Sequence, residues 1–337
     1  MDVFFVLSGF LITGMLLASR DAPHRWRNFF VRRALRVLPL YYLVVLGRFA
    51  ALAAGFDFAA HPREFPPTIG ELAAYLTHTS NFWLAAHGAD RFDAMLTVAW
   101  SLAIEEQFYL LWPVVVWTLG PRRVLLICGL AVITCPILRV LTESQFGPYA
   151  AYLTTPCRAD GLAAGAAVAT LTQGGVSRRW LAIGLLLAAA GAVVYTAAVI
   201  WQRGFLFTGI PILGVGLSGV VLATAGLITG IVSAPAASAF RPLTSRPLRA
   251  AGKYSFAAYL FNDPICATVG WLLAPTINAT PFPVGMGLHL GLSVTVTFAL
   301  AWVSWRLIES PANRLKRYFP IAPPVGVHPE AAHITPG

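Results

Sequence analysis

Apolar residues in this chain come in long blocks separated by short polar, basic or proline-bearing joints, and block length decides the fold. Runs such as 181–199, 210–230 and 288–303 approach or reach the roughly 20 residues a helix needs to cross a hydrocarbon core. A buried strand in a soluble protein is apolar over only about four to eight residues. The blocks predict spans at about 3–18, 36–54, 99–119, 123–142, 157–173, 180–200, 206–230, 254–274 and 287–308. Several are short or carry Gly and Pro, which membrane helices accept when neighbouring helices re-satisfy the backbone. A weaker apolar piece at 72–85 is rich in Thr, Asn and His and reads as an external segment or a surface helix. The predicted fold class is all-α, a polytopic membrane helix bundle of about nine spans.

Composition agrees. Hydrophobic residues make up 57% of the chain and charged residues 11%, against about 25% charged in a typical soluble domain. So little charge cannot cover a water-facing surface. The net charge is +10, and its placement says more than its size. With the first span starting outside, the joints at 19–35, 120–123, 174–179 and 231–253 lie inside. They are basic throughout, from Arg20 and Arg25 to Arg249 and Lys253. The opposite joints carry Asp57, Glu64, Glu71, Asp90, Asp93 and Glu143. That alternation places the amino terminus outside and the carboxyl terminus inside, and reads the basic excess as topology rather than a nucleic-acid surface. Cys128, Cys135, Cys157 and Cys266 have no zinc-ligand spacing and read as structural helix residues. No basic stretch precedes the first apolar run, so no cleavable signal peptide is expected. Residues 1–317 form the expected bundle, and 318–337, proline-rich and aperiodic, form an expected disordered cytoplasmic tail.

Five clusters could carry chemistry. In Asn28-Phe-Phe-Val-Arg-Arg-Ala-Leu-Arg-Val-Leu-Pro39, Arg32 and Arg36 share a helical face with Arg33 a third of a turn away. Guanidinium forks there could hold the phosphates of a cytoplasmic cofactor; the plainer reading is positive-inside anchoring. In Trp100-Ser-Leu-Ala-Ile-Glu-Glu-Gln-Phe-Tyr109, Glu105 and Glu106 sit inside an apolar helix, where acids are costly and usually mark function. Glu105 shares a face with Ser101, while Glu106 points elsewhere. In Pro156-Cys-Arg-Ala-Asp-Gly161, Arg158 and Asp160 are two apart, so each is expected to pair across to another helix, with Glu105 a candidate partner for Arg158. A structural ion pair stands level with a site role there. Tyr259, Asn262 and Asp263 form a polar stripe in another span, and Arg306 with Glu309 reads as a structural pair at the last inner helix end. His24, His61, His78, His87, His328 and His333 fall outside the spans and His289 lies near a boundary, so no histidine base inside the bundle is visible.

These motifs resemble the membrane-bound acyltransferase 3 family, whose members include bacterial O-acetyltransferases of surface polysaccharides. The matching text is Asp2-Val-Phe-Phe-Val-Leu-Ser-Gly-Phe-Leu-Ile12, Phe30-Val-Arg-Arg-Ala-Leu-Arg-Val-Leu-Pro39, Trp100-Ser-Leu-Ala-Ile-Glu-Glu-Gln-Phe-Tyr109, Arg158-Ala-Asp-Gly161, Tyr254-Ser-Phe256 and Glu309-Ser-Pro311. The likeness runs from Asp2 to about Arg317, and the first three motifs in this order are the specific part. It implies ten membrane helices, no tightly bound cofactor, an acyl-CoA donor approached from the cytoplasm and a carbohydrate acceptor often reached outside. It implies a bacterial inner-membrane location, Arg32, Arg33 and Arg36 on the donor, and Glu105, Arg158 and Asp160 organising the outer part of the cavity. Family members carry an arginine and a catalytic histidine on a first helix that this sequence does not show, so the expectation is a chain missing one helix, testable in the upstream reading frame. With only a short proline-rich tail after the last expected span, the expectation is transfer by the bundle, and a relay through the bundle with the second step done by a partner stays open. Two alternatives stay open: a polytopic transporter, for which no internal repeat is found, and a non-catalytic remnant of the acyltransferase.

Overall fold

A computed structural model describes residues 1–57, 65–88, 91–93, 95–206, 208–234 and 238–321. His61, Glu64, Asp90 and the tail beyond 321 lie outside the described residues. Among the described residues twelve α-helices follow one another: α1 (Asp2–Ala18), α2 (Arg25–Ala53), α3 (Ile69–Leu76), α4 (Ser80–His87), α5 (Ala99–Thr118), α6 (Pro121–Leu153), α7 (Thr155–Thr172), α8 (Arg178–Gln202), α9 (Leu217–Ser233), α10 (Arg246–Ala279), α11 (Phe282–Ser304) and α12 (Ser310–Arg314). Each of the nine expected spans coincides with a helix. Six of these helical segments are long and apolar enough by themselves to cross a membrane. The other three, α1, α5 and α7, are shorter or carry the polar residues singled out above: Asp2, Glu105 and Glu106, Arg158 and Asp160. The 72–85 piece forms the two short helices α3 and α4.

Burial is inverted relative to a water-soluble protein. On α6, Ile133 is 66% exposed while Arg139 is 0% exposed. Leu186, Trp271 and Leu290 face outward in the same way. Apolar side chains outside and charges inside are what a hydrocarbon solvent selects. The fold is an all-α, polytopic membrane bundle.

The chain divides into two compact units. The first holds Met1–Trp26 and Ile104–Phe240. Here α1 and α7 run parallel with their backbones in contact. A Cβ on Gly9 would stand 1.9 Å from the Leu162 carbonyl oxygen, and one on Gly165 would stand 1.9 Å from that of Val6. Only glycine permits this approach, the small-residue packing common between membrane helices. Helix α8 meets α9 similarly, with Gly191 against the Ala223 backbone and Gly226 against Ala188. Helix α5 is stitched to α1 by Trp112 Nε1 donating to Thr13 Oγ1 at 2.7 Å and Trp117 Nε1 donating to the Leu16 carbonyl at 2.9 Å. Helix α6 runs past its predicted end at 142 to Leu153, broken at Gly147, whose φ of 85° suits only glycine there. A π-helical turn, Pro211–Gly216, leads into α9.

The second unit holds Arg27–Ala103 and Arg241–Pro320. Its core joins Leu40, Tyr41, Val45 and Tyr75 with Leu96, Leu102, Ala257 and Leu260. Tyr41 OH donates to the Tyr75 carbonyl and Tyr42 OH to that of Leu76, at 2.9 and 3.0 Å, holding the end of α3 against α2. The expected Arg306–Glu309 pair does not form. Arg306 lies over the Trp302 ring at 4.1 Å, and Glu309, buried, accepts from Ser304 Oγ at 3.4 Å. The π-helical turn Trp305–Glu309 is the reason: its wider turn gives less rotation per residue and carries the two side chains apart.

Candidate functional site

In the first unit, the polar residues of α1, α5, α6 and α7 gather into two networks. The first joins α5 to α1. Tyr109 OH donates to Glu105 Oε2 at 2.7 Å, and Ser8 Oγ lies 2.5 Å from the same phenol oxygen. A phenol has one proton, and it is engaged by the carboxylate, so Ser8 must be the donor of the short contact. The order is therefore Ser8 hydroxyl, Tyr109 phenol, Glu105 carboxylate, a chain along which a proton can move toward Glu105. One face of α5 presents Glu105 and Tyr109 four residues apart to α1.

The second network is a buried charge cluster. Arg158 Nη2 donates to Asp2 Oδ1 at 2.9 Å, and Arg139 Nη1 donates to Asp160 Oδ2 and to the Cys157 carbonyl, both at 2.8 Å. Arg139 Nη2 reaches Ser218 Oγ at 2.6 Å. Arg158 and Asp160 do pair across to other helices, as their spacing requires, but the partner of Arg158 is Asp2 rather than Glu105. Arg158 occupies the first turn of α7 next to the first turn of α1, so Asp2 meets it there while Glu105 is engaged by Tyr109.

The arginines of α2 belong to the second unit and have different surroundings. Arg32 Nη1 donates to the carbonyls of Lys316 and Phe319 at 3.0 and 3.1 Å, and Asn28 Nδ2 donates to that of Pro320 at 2.8 Å. Through Nη1, Arg32 caps the carboxyl end of the short helix Leu315–Tyr318, where a cation is favoured. The Lys316 ammonium lies within electrostatic reach of Arg32, Arg33 and Arg36, and Arg36 within that of Glu309. Four cationic side chains thus lie near one another, with the buried Glu309 within reach of Arg36.

A family profile described as an acyltransferase domain matches residues 1–306. The chain belongs to this acyltransferase family. It is 28% identical over 334 residues to the peptidoglycan O-acetyltransferase OatA of Listeria monocytogenes, covering 93% of this chain and 51% of that protein. Against a Bacillus subtilis protein provisionally named peptidoglycan O-acetyltransferase YrhL, identity is 31% over 339 residues, covering 92% and 49%. The O-acetyltransferase OatA of Staphylococcus aureus is 26% identical, covering 93% and 52%. The chain spans about half the length of these curated relatives. No solved structure matches it.

In this acyltransferase-family membrane protein, the remaining candidates divide. Tyr259 OH lies 2.6 Å from Ser101 Oγ, whereas Asn262 is exposed and bonds within its own helix, donating to Asp263 at 3.0 Å and accepting from Cys266 Sγ at 3.6 Å, so the α10 stripe does not act as one group. His289 Nε2 lies 3.0 Å from the Cys266 carbonyl, joining α11 to α10. Sequence reasoning missed Arg139, Asp2, Tyr109 and Ser8. Arg139 alone carried a signal, a lone cation within an apolar run.

Proposed function

We propose that this protein transfers an acyl group, acetyl above all, from acyl-CoA at the cytoplasmic face to a hydroxyl of a cell-wall or exported carbohydrate. The observation that carries the reading is the Ser8–Tyr109–Glu105 chain, a proton path that reaches a carboxylate inside a membrane bundle. Acyl transfer to a hydroxyl needs a place for the hydroxyl proton. The acceptor oxygen adds to the thioester carbonyl, its proton passes to Glu105 along the path, and the C–S bond breaks. The proton then returns to the departing thiolate. Arg33, Arg36 and Lys316, with Arg32 holding the Leu315–Tyr318 turn in place, supply positive charge suited to the donor's phosphates. Asp160, through Arg139, fixes the first turn of α7 and with it Arg158. The peptidoglycan acetylation named for the relatives supports a cell-wall glycan as acceptor. The basic joints support an orientation with the amino terminus outside and the carboxyl terminus inside, in a bacterial inner membrane.

The test is CoA release and acetyl transfer to glycan oligosaccharides by the full chain in proteoliposomes. Tyr109→Phe and Glu105→Gln should each lower kcat by about a hundredfold or more with little change in the acyl-CoA KM. Arg36→Gln should do the reverse, raising KM. Wild-type rates in both Tyr109→Phe and Glu105→Gln would remove the reading, and substrate flux without CoA release would replace it with transport.

A further inference from the structure

Arg158 is 1% exposed, yet only one of its three nitrogens has a partner. Nη2 holds Asp2, while Nε and Nη1 are buried without any acceptor from the protein. A buried donor left unmet destabilises the fold, and a cation makes the cost larger. Helix geometry does not compel the arrangement, since Arg139 on α6 engages three acceptors in the same cluster. The guanidinium carbon of Arg158 stands 4.7 Å from the ring centre of Tyr152 and 5.6 Å from that of Phe5. Aromatic surface therefore flanks the cation, and its free N–H groups are the polar feature left to meet a guest.

The local field favours a guest that gains negative charge. Helices α1 and α7 run parallel with their first turns side by side, so two positive helix ends meet at Arg158. Arg139 and Arg158 are matched by Asp2 and Asp160, so the cluster is neutral overall and a full anion is not demanded. A carbonyl oxygen that becomes an oxyanion during reaction suits such a site, and a methyl group suits the aromatic flank. Asp2 and Ser8 are six residues apart on α1, about 9 Å along the axis, so one helix holds both the Arg158 partner and the outer end of the proton path.

We propose that the Nε and Nη1 groups of Arg158 receive the carbonyl oxygen of the acyl group in transit. This rests on the acyl-transfer reading above and assigns the step that reading leaves open. As the acceptor oxygen adds to the carbonyl carbon, the C=O electron pair moves onto oxygen, and Arg158 donates to that oxyanion. Collapse re-forms C=O and expels the CoA thiolate, which takes up the proton lodged on Glu105.

The experiment uses the full chain in lipid nanodiscs with acetyl-CoA labelled with 13C at the acetyl carbonyl. Bound wild-type protein should move the carbonyl resonance downfield of free acetyl-CoA, as donation to the oxygen requires. Arg158→Gln should return it to the free position while retaining CoA affinity within about threefold, and should lower turnover by about a hundredfold or more. Arg158→Lys keeps a cation for Asp2 but lacks the two donors, and it serves if the glutamine variant does not fold; it too should lose the shift. An unshifted carbonyl in bound wild type, or the same shift in either folded variant, overturns the inference and leaves the acyl-transfer reading standing. A wild-type chain that binds neither CoA nor acetyl-CoA overturns both.

Discussion

Arg48 in the second unit and Arg158 in the first are both buried arginines, and the acids around them differ. Arg48 donates through Nε to Asp93 at 2.9 Å and through Nη2 to Asp57 at 2.7 Å, so one cation lies between two carboxylates. Arg158 has one carboxylate and two nitrogens to spare. The first arrangement is saturated with charge, with Nη1 alone left without an acceptor, and ties the end of α2 to the segments on either side of α3 and α4. The second is under-supplied from the protein's own atoms. A buried arginine held by two carboxylates acts as a bolt, and one with a single carboxylate and two donors to spare is fitted to receive something.

The largest effect that would separate the two belongs to Arg139. Its replacement by Met leaves Asp160 buried without its cation, and the bundle should lose about 3–5 kcal/mol, read as a lower denaturant midpoint in mixed micelles. A loss below about 1 kcal/mol would mean that the first unit's cluster is not held by charge pairing. A smaller effect tests the bolt. Asp93→Asn, at a fully buried site, should cost about 2 kcal/mol, whereas Asp57→Asn, with a quarter of its side chain exposed, should cost less than about 1 kcal/mol. Equal costs would break the picture of a saturated centre with one essential arm.

The smallest effect concerns pH. His78 stacks on Tyr41 at 4.5 Å, and burial pushes its pKa from 6.5 down to about 4. As pH falls below about 6.5 the unfolded chain takes up the proton first, so the stability present above that pH is lost progressively toward pH 4. The loss is no more than about 2 kcal/mol for a half-buried ring. His78→Asn, which tolerates the positive φ of 53° at this position, should flatten the melting temperature between pH 7 and 5. An unchanged slope would assign the acid sensitivity elsewhere.

The positions of the membrane helices were legible in the sequence because hydrocarbon demands long apolar runs and few other forces produce them. The functional groups were legible in part. Glu105, Arg158 and Asp160 stood out as charges in apolar surroundings, and their spacing showed that Arg158 and Asp160 must look to different helices. Their partners did not show, because Asp2 and Arg158 are 156 residues apart and periodicity carries no information across such a gap. Asp93 looked like a loop acid contributing to topology, yet it is fully buried against Arg48. The carbonyl that Arg32 engages was not legible either, because nothing local announces a partner 284 residues later.

The reach of α1 also has a consequence in time. Its Ser8, Thr13 and Leu16 meet Tyr109, Trp112 and Trp117 across about a hundred residues, and its Asp2 meets Arg158 across 156. At a synthesis rate of about 5–20 residues per second, those partners leave the ribosome roughly 5 to 30 s after α1 does. During that wait a carboxylate and two hydroxyls must be sheltered by water, lipid headgroups or the insertion machinery. Biogenesis of this bundle therefore has a built-in delay, with α1 held near the translocon until α5, and then α7, arrive to close over it.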